Sequence, residues 1–249
     1  AEGGLVMTVD LSDPTNPVLL DQAHVPGYIQ TSRLTRGAAS SALYVAATEW
    51  VESTDPDGSR TSGPRTVVKS FDVSGDTIAI RSEFDLGGYV DAIQATPQML
   101  LVARTDWNSN GNSDSSDVTL IDISNPDGTM VERDTVAVAG KVVSQFHMDF
   151  RGDMLRVLSG PRWGGGQSSH LETWDATDPD KLVAIDSEAF GTGDNLFAAI
   201  FLEDRAFAVT YLRQDPFHAL SITPDGQVQE ESEYIVSGWN DFFRPVLDN

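Results

Sequence analysis

A unit of four short extended segments recurs about every fifty residues along this chain, and that recurrence predicts an all-β fold, a β-propeller of four-stranded antiparallel blades. Three observations carry the expectation. A strand ending in Asp-x-Ser or Asp-x-Thr and running into turn residues appears as VDLSDPTNP (9–17), FDVSGD (71–76), IDISNPDG (121–128) and WDATDPD (174–180), with a degenerate copy, LSITPDG, at 220–226. Glycines at 27, 88, 140, 191 and 238 each open a fresh apolar strand, at spacings of 61, 52, 51 and 47 residues. A strongly β-prone strand follows about 15 residues after each of the first four: LYVAAT (43–48), LLVART (100–105), LRVLSG (155–160) and AFAVTY (206–211).

Each unit therefore reads as a glycine and strand A, a short turn, strand B, a variable loop, strand C closing on Asp-x-Ser, a turn, and strand D. Pro, Asp, Asn and Gly after strand C favour tight turns through their φ preferences and local hydrogen bonds. Trp50, Trp107 and Trp163 sit just past strand B in three successive units. They are expected to be packing anchors at a blade edge, with exposed binding aromatics as the competing reading. The complete blades are placed at about 27–87, 88–139, 140–190 and 191–237, with partial blades at 1–26 and 238–249. Helical periodicity is nowhere sustained, and a β-sandwich, the second choice, would not group its strands in fours. The partial ends suggest either an imperfectly closed five-bladed ring or part of a longer propeller completed by another segment or chain. The longer propeller is favoured, because an unpaired blade edge invites association.

Composition narrows the classes of partner. The 249 residues carry 16 basic and 38 acidic side chains, a net charge of −22, with only three lysines (Lys69, Lys141, Lys181). Such a polyanion is repelled by nucleic acid and by anionic lipid, so neither is expected as a partner. An Asp-rich, Lys-poor surface suits a salty or divalent-rich medium, where cations screen self-repulsion. With no cysteine, disulfides, thiol catalysis and Cys-ligated zinc are excluded. No apolar run approaches the roughly 18 residues of a membrane helix, so insertion is not expected. The opening AEGGLVMTVD has no basic or apolar leader pattern and reads as a mature or trimmed start.

The segments SQFHMDFRGDMLRVLSG (144–160), FLEDRAFAVTYLRQDPFHALSI (201–222) and SGWNDFFRPVLDN (237–249) resemble the secreted bacterial and archaeal proteins with a C-terminal β-propeller domain, a family distantly related to WD-type propellers. The matching positions are Met148–Val157, Glu203–Thr210, Asp215–Pro216 and Arg244–Pro245. Departures are Glu203 in place of Gly, Arg244 in place of His, and Phe242 and Phe243 where the family tends to Tyr-Leu. The specific match covers about the last 110 residues. The resemblance implies export and continuation of the propeller past this point, and it implies no catalytic residues.

One loop has the pattern of a metal site. In DWNSNGNSDSSD (106–117), Asp106, Asn108, Asn110, Asp114 and Asp117 fall at loop positions 1, 3, 5, 9 and 12. Gly111 stands at the sharp turn of position 6, and Asn112 offers its carbonyl at position 7. Hard oxygen donors in that spacing point to calcium, and the Asn substitutions point to weak affinity, about 0.1–1 mM. A polar loop without an ion is the competing reading. The sister loop STDPDGSRTSG (53–63), with Asp55 and Asp57, reads as a simple turn.

Catalytic signals are sparse. His24, His147, His170 and His218 show no metal-binding pair spacing, so a metal site would need ligands gathered across blades. His147 is placed on an inner strand and expected to be a satisfied interior histidine. No Gly-x-Ser-x-Gly elbow occurs. GPRWGGGQSS (160–169) lacks the Lys-Ser/Thr of a phosphate loop and reads as a hairpin. The sequence thus favours an exported, non-enzymatic propeller at the cell surface or in the periplasm. It would bind a protein or surface ligand on a propeller face, with calcium stiffening one hairpin. The alternative is a periplasmic or extracellular hydrolase or lactonase-like propeller with a metal in the central channel.

Overall fold

The computed structural model describes residues 3–37, 40–54, 58, 60–105, 115–161, 167–211, 215–236 and 243. Apart from one 3-10 turn at Gln145–His147, the regular structure of these residues is entirely β. No helix is long and apolar enough to cross a membrane.

The first two strands, β1 (Gly4–Asp10) and β2 (Val18–Val25), form a two-stranded sheet. Four four-stranded sheets follow. They hold β3 (Tyr28–Arg36), β4 (Ser41–Thr54), β5 (Arg60–Asp72) and β6 (Ala79–Gly87); then β7 (Tyr89–Ala95), β8 (Met99–Thr105), β9 (Asp117–Asp122) and β10 (Val131–Ala137). The third has β11 (Met148–Phe150), β12 (Met154–Ser159), β13 (Ser169–Asp175) and β14 (Val183–Phe190), and the fourth β15 (Asn195–Leu202), β16 (Arg205–Tyr211), β17 (Asp215–Ile222) and β18 (Val228–Val236). In each sheet the strand order is the chain order, so each is a meander of antiparallel hairpins. The A–B and C–D turns therefore share one end of a sheet, and the B–C loop lies at the other. This is the four-stranded blade that the repeat predicts. Residues 238–249, expected to begin another blade, lie outside the described residues except Phe243.

The Asp-x-Ser signature is a hydrogen-bonded stop at the end of strand C. The Asp10 carboxylate accepts the Ser12 N–H at 2.8 Å, Asp72 that of Ser74 at 3.0 Å, Asp122 that of Ser124 at 2.9 Å, and Asp175 that of Thr177 at 2.8 Å. Each turns the chain by an Asx bond, which extended backbone cannot offer. In two blades the same aspartate also meets an arginine of strand D: Asp72 with Arg81 at 2.6 Å and Asp122 with Arg133 at 2.8 Å.

The chain divides into two compact units, Ala1–Gly111 with Thr119–Arg133, and Asn112–Val118 with Asp134–Asn249. In the first, Tyr44, Val68, Ile93, Leu100 and Ile121 form one apolar core between blades, and Val6, Val25, Val45 and Phe71 another. In the second, Leu158, Leu171, Phe190, Leu196 and Leu220 do the same. Polar clamps accompany these cores inside each unit. Strand D of one blade captures an N–H at or before strand D of the next: Asp21 takes that of Ile78 at 2.8 Å, and Ser82 that of Met130 at 3.0 Å. Likewise Asp134 takes that of Leu182 at 2.8 Å, and Asp186 that of Val228 at 3.0 Å.

Two expectations are corrected. Trp50 is 70% exposed, because β4 and β5 run on past the blade as a long hairpin in which Trp50 faces Pro64. It packs no blade edge; Trp107 and Trp163 lie outside the described residues. His147 ends the 3-10 turn instead of sitting on a strand. It is buried, yet neither ring nitrogen has a partner among the described residues, so it is not a satisfied interior histidine.

Candidate functional site

Of the proposed calcium ligands, Asp106, Asn108, Asn110, Asn112 and Asp114 lie outside the described residues, and Asp117 opens β9. The strands that carry the loop are well anchored. Thr105, the last residue of β8, is buried and donates its hydroxyl to Asp91 at 2.6 Å. Ser116 donates its N–H to the Gly140 carbonyl at 3.0 Å, accepts the Val138 N–H at 3.0 Å, and takes the Val142 N–H on its hydroxyl at 3.1 Å. Asp55, Asp57 and the glycines 164–166 also lie outside the described residues.

A buried hydroxyl recurs near the end of the β-prone stretch of strand B in every four-stranded blade: Thr48, within the longer β4, then Thr105, Ser159 and Thr210. In the third blade Ser159 accepts the Gly140 N–H at 3.0 Å and lies 3.3 Å from the Glu172 carboxylate, which also takes the Ala139 N–H at 3.0 Å. Burial raises the Glu172 pKa against the opposing effect of the Ala139 bond. In the fourth blade the hydroxyl becomes part of a relay. Thr210 Oγ1 stands 2.9 Å from His218 Nε2, and His218 Nδ1 stands 2.6 Å from Glu230 Oε1. With Nδ1–H donating to Glu230, Nε2 accepts from the Thr210 hydroxyl. Phe190 packs on the imidazole at 5.0 Å between centroids.

Hydroxyl, imidazole and carboxylate in that order is the arrangement of nucleophile, base and acid. Here Thr210 and His218 are fully buried, so no substrate atom reaches the hydroxyl. The relay instead satisfies polar groups inside the blade. His218, Glu230 and Glu233 also bring ligand atoms within 4.8 Å of one another. That nitrogen–oxygen set suits zinc by type. Both imidazole nitrogens are already engaged, however, and the three residues come from two strands of one blade.

Open grooves occur at the turn end of the blades. In the first unit a cavity of about 470 Å³ is walled by 33–37, the end of strand A and start of the A–B turn of one blade, by 95–97 at the A–B turn of the next, and by Ile123, Ser124 and Pro126 at its C–D turn. In the second unit a cavity of about 430 Å³ lies at the equivalent turns, among Arg151, Met154, Arg156, Glu203, Asp204 and Thr223.

The sheet pattern agrees with the comparison to known proteins, since residues 45–249 match the family model described as "Beta propeller domain". The chain belongs to this β-propeller family. A crystal structure described as that of a functionally unknown protein from Desulfotomaculum acetoxidans DSM 771 is similar with a TM-score of 0.35 and 6% identity, over 86% of this chain and 72% of that one. No curated protein matches the sequence.

Two site features of the propeller escaped sequence reasoning. The strand B hydroxyl was visible as a Thr or Ser in the last two positions of each β-prone segment, but nothing in the sequence pairs Thr210 with His218. The turn grooves left no motif, because their walls come from three separate turns.

Proposed function

We propose that this propeller is an exported, non-enzymatic binding or scaffolding module that engages its ligand through the turns between strands. The observation behind this reading is the contrast in access. The one hydroxyl–His–acid relay among the described residues is sealed, whereas the turn ends of the blades carry open grooves. Side chains on turns held by a rigid sheet suit recognition. Export follows from the resemblance of 144–160, 201–222 and 237–249 to secreted propeller proteins, and the strongly acidic composition suits a salty or divalent-rich medium.

Calcium bound at 106–117 completes the reading, through Asp106, Asn108, Asn110, Asp114, Asp117 and the Asn112 carbonyl. A calcium titration followed by melting temperature tests it. At about 10 mM calcium and a Kd of 0.1–1 mM, linkage gives roughly 1.4–2.7 kcal/mol, a rise of several degrees. Asp106→Ala should abolish the rise, and a parent protein that does not respond overturns the calcium site.

The hydrolase reading draws on the His218, Glu230 and Glu233 group. Ester and lactone substrates, assayed with and without zinc, separate the two readings. The binding module shows no turnover that depends on His218, and hydrolysis lost in His218→Ala overturns it.

A further inference from the structure

The arginines of the first-unit groove contrast with five cations that are paired elsewhere in the protein. In an acidic protein a cation normally finds a carboxylate, as Arg65, Lys69, Arg81, Arg133 and Arg156 do. Arg33 and Arg36 both line the groove, and among the described residues neither has a carboxylate within ion-pair distance. Arg33 Nη1 donates to the Thr31 hydroxyl at 3.1 Å and to the Ser32 carbonyl at 2.6 Å. Its Nε is buried with no partner. Burial alone lowers the Arg33 pKa, with no nearby carboxylate opposing it.

The equivalent groove of the second unit shows what neutralisation looks like. There Arg156 is held by Asp149, donates to the Glu203 carbonyl and lies over the Phe201 ring at 5.1 Å, while Arg151 faces Glu203 at 3.9 Å. Both grooves thus carry arginines, and only the second supplies its own anions. A half-buried guanidinium without a counter-charge is costly, and an incoming anion removes that cost.

The remaining walls define the rest of the ligand. Leu34, Pro97, Ile123 and Pro126 are apolar, and Thr96 and Ser124 add hydroxyls. A cavity of about 470 Å³ falls in the range for small ligands. We propose that this groove binds an organic carboxylate with an apolar body, its carboxylate drawn to the Arg33 and Arg36 side chains that line the groove and its body against Leu34, Pro97 and Ile123. Planar guanidinium forks match carboxylates in geometry as well as charge. The site deepens, and rests on, the reading of the turn ends as the binding surface. The carboxylate belongs either to a free small acid or to the end of a peptide.

Titration calorimetry at low salt tests the site with four probes: 3-phenylpropionate, the tripeptide N-acetyl-Ala-Ala-Phe, its C-terminal amide, and inorganic phosphate. Both acids should bind, more weakly as salt rises, and the amide and phosphate should bind at least tenfold less well. A tripeptide tighter than 3-phenylpropionate identifies a chain end; equal or weaker binding identifies a free acid. Arg33→Gln should cost at least tenfold, Arg33→Lys should recover only part of it, and Arg36→Gln, at an exposed position, should weaken binding in a protein of unchanged melting temperature. Acid and amide binding alike, phosphate binding as well as the acids, no binding of either acid, or parental affinity in Arg36→Gln overturns the site. These results are independent of the turnover assay. Hydrolysis dependent on His218 would remove the non-enzymatic reading and leave the carboxylate result standing, while loss of the carboxylate site would leave that assay unchanged.

Discussion

Asp72 shows how much one repeated side chain does. It accepts from the Ser74 hydroxyl and N–H and from Arg81, which together pull its pKa from 3.8 to about 2, the Ser74 hydroxyl contributing most. Because the carboxylate is held lower in the native state than in the unfolded chain, its contribution is complete above about pH 4 and disappears as pH falls through 2. Asp72→Ala should lower the melting temperature at pH 7 and narrow its gap to the parent between pH 4 and pH 2; a gap constant across that range overturns the assignment. His147 behaves differently. Burial without a partner lowers its pKa from 6.5 to about 4. Between those values the unfolded chain takes up a proton that the native state refuses, so stability falls with pH by about 1.4 kcal/mol per unit and levels off below 4. His147→Leu should flatten that part of a urea-unfolding profile, and an unchanged slope assigns it to other groups. The Asp-x-Ser bonds were legible in sequence because they are local. The state of His147 was not, because it depends on what encloses the ring.

At the level of the strand and blade, the glycine that opens strand A has a positional cause. Gly191 has φ +56°, and a Cβ there would stand 2.7 Å from Thr210 Cγ2 and 3.3 Å from His218 Nε2. The glycine is thus required by both backbone conformation and the buried relay. Gly191→Ala should cost about 1–3 kcal/mol by calorimetric melting, and a neutral effect would show that the relay yields. The clamps of Asp21, Ser82, Asp134 and Asp186 follow the same logic between blades. They fix the next blade's strand D by hydrogen bonding its N–H, which hydrophobic contact alone does not orient. Trp50 marks the limit of reading strands from pattern. Its position after strand B is regular in sequence, yet β4 continues beyond the blade and carries it into solvent.

For the molecule as a whole, a net charge of −22 sets a field that repels anions and draws cations. The calcium response proposed for 106–117 would follow that field and should weaken as sodium chloride screens it. Carboxylate binding at Arg33 and Arg36 runs against it, and only local, uncompensated guanidinium charge makes it favourable. The sequence by itself determined the all-β class, the four-strand repeat, the glycines and the Asp-x-Ser stops, because each depends on residues close in the chain or on a period. The tertiary structure alone decided that Thr210, His218 and Glu230 meet inside a blade, that His147 is enclosed without a partner, and that Arg33 and Arg36 share an open groove without carboxylates. Those outcomes depend on distances between residues far apart in the chain, and a periodic pattern repeats the frame of each blade without specifying which charges face each other across it.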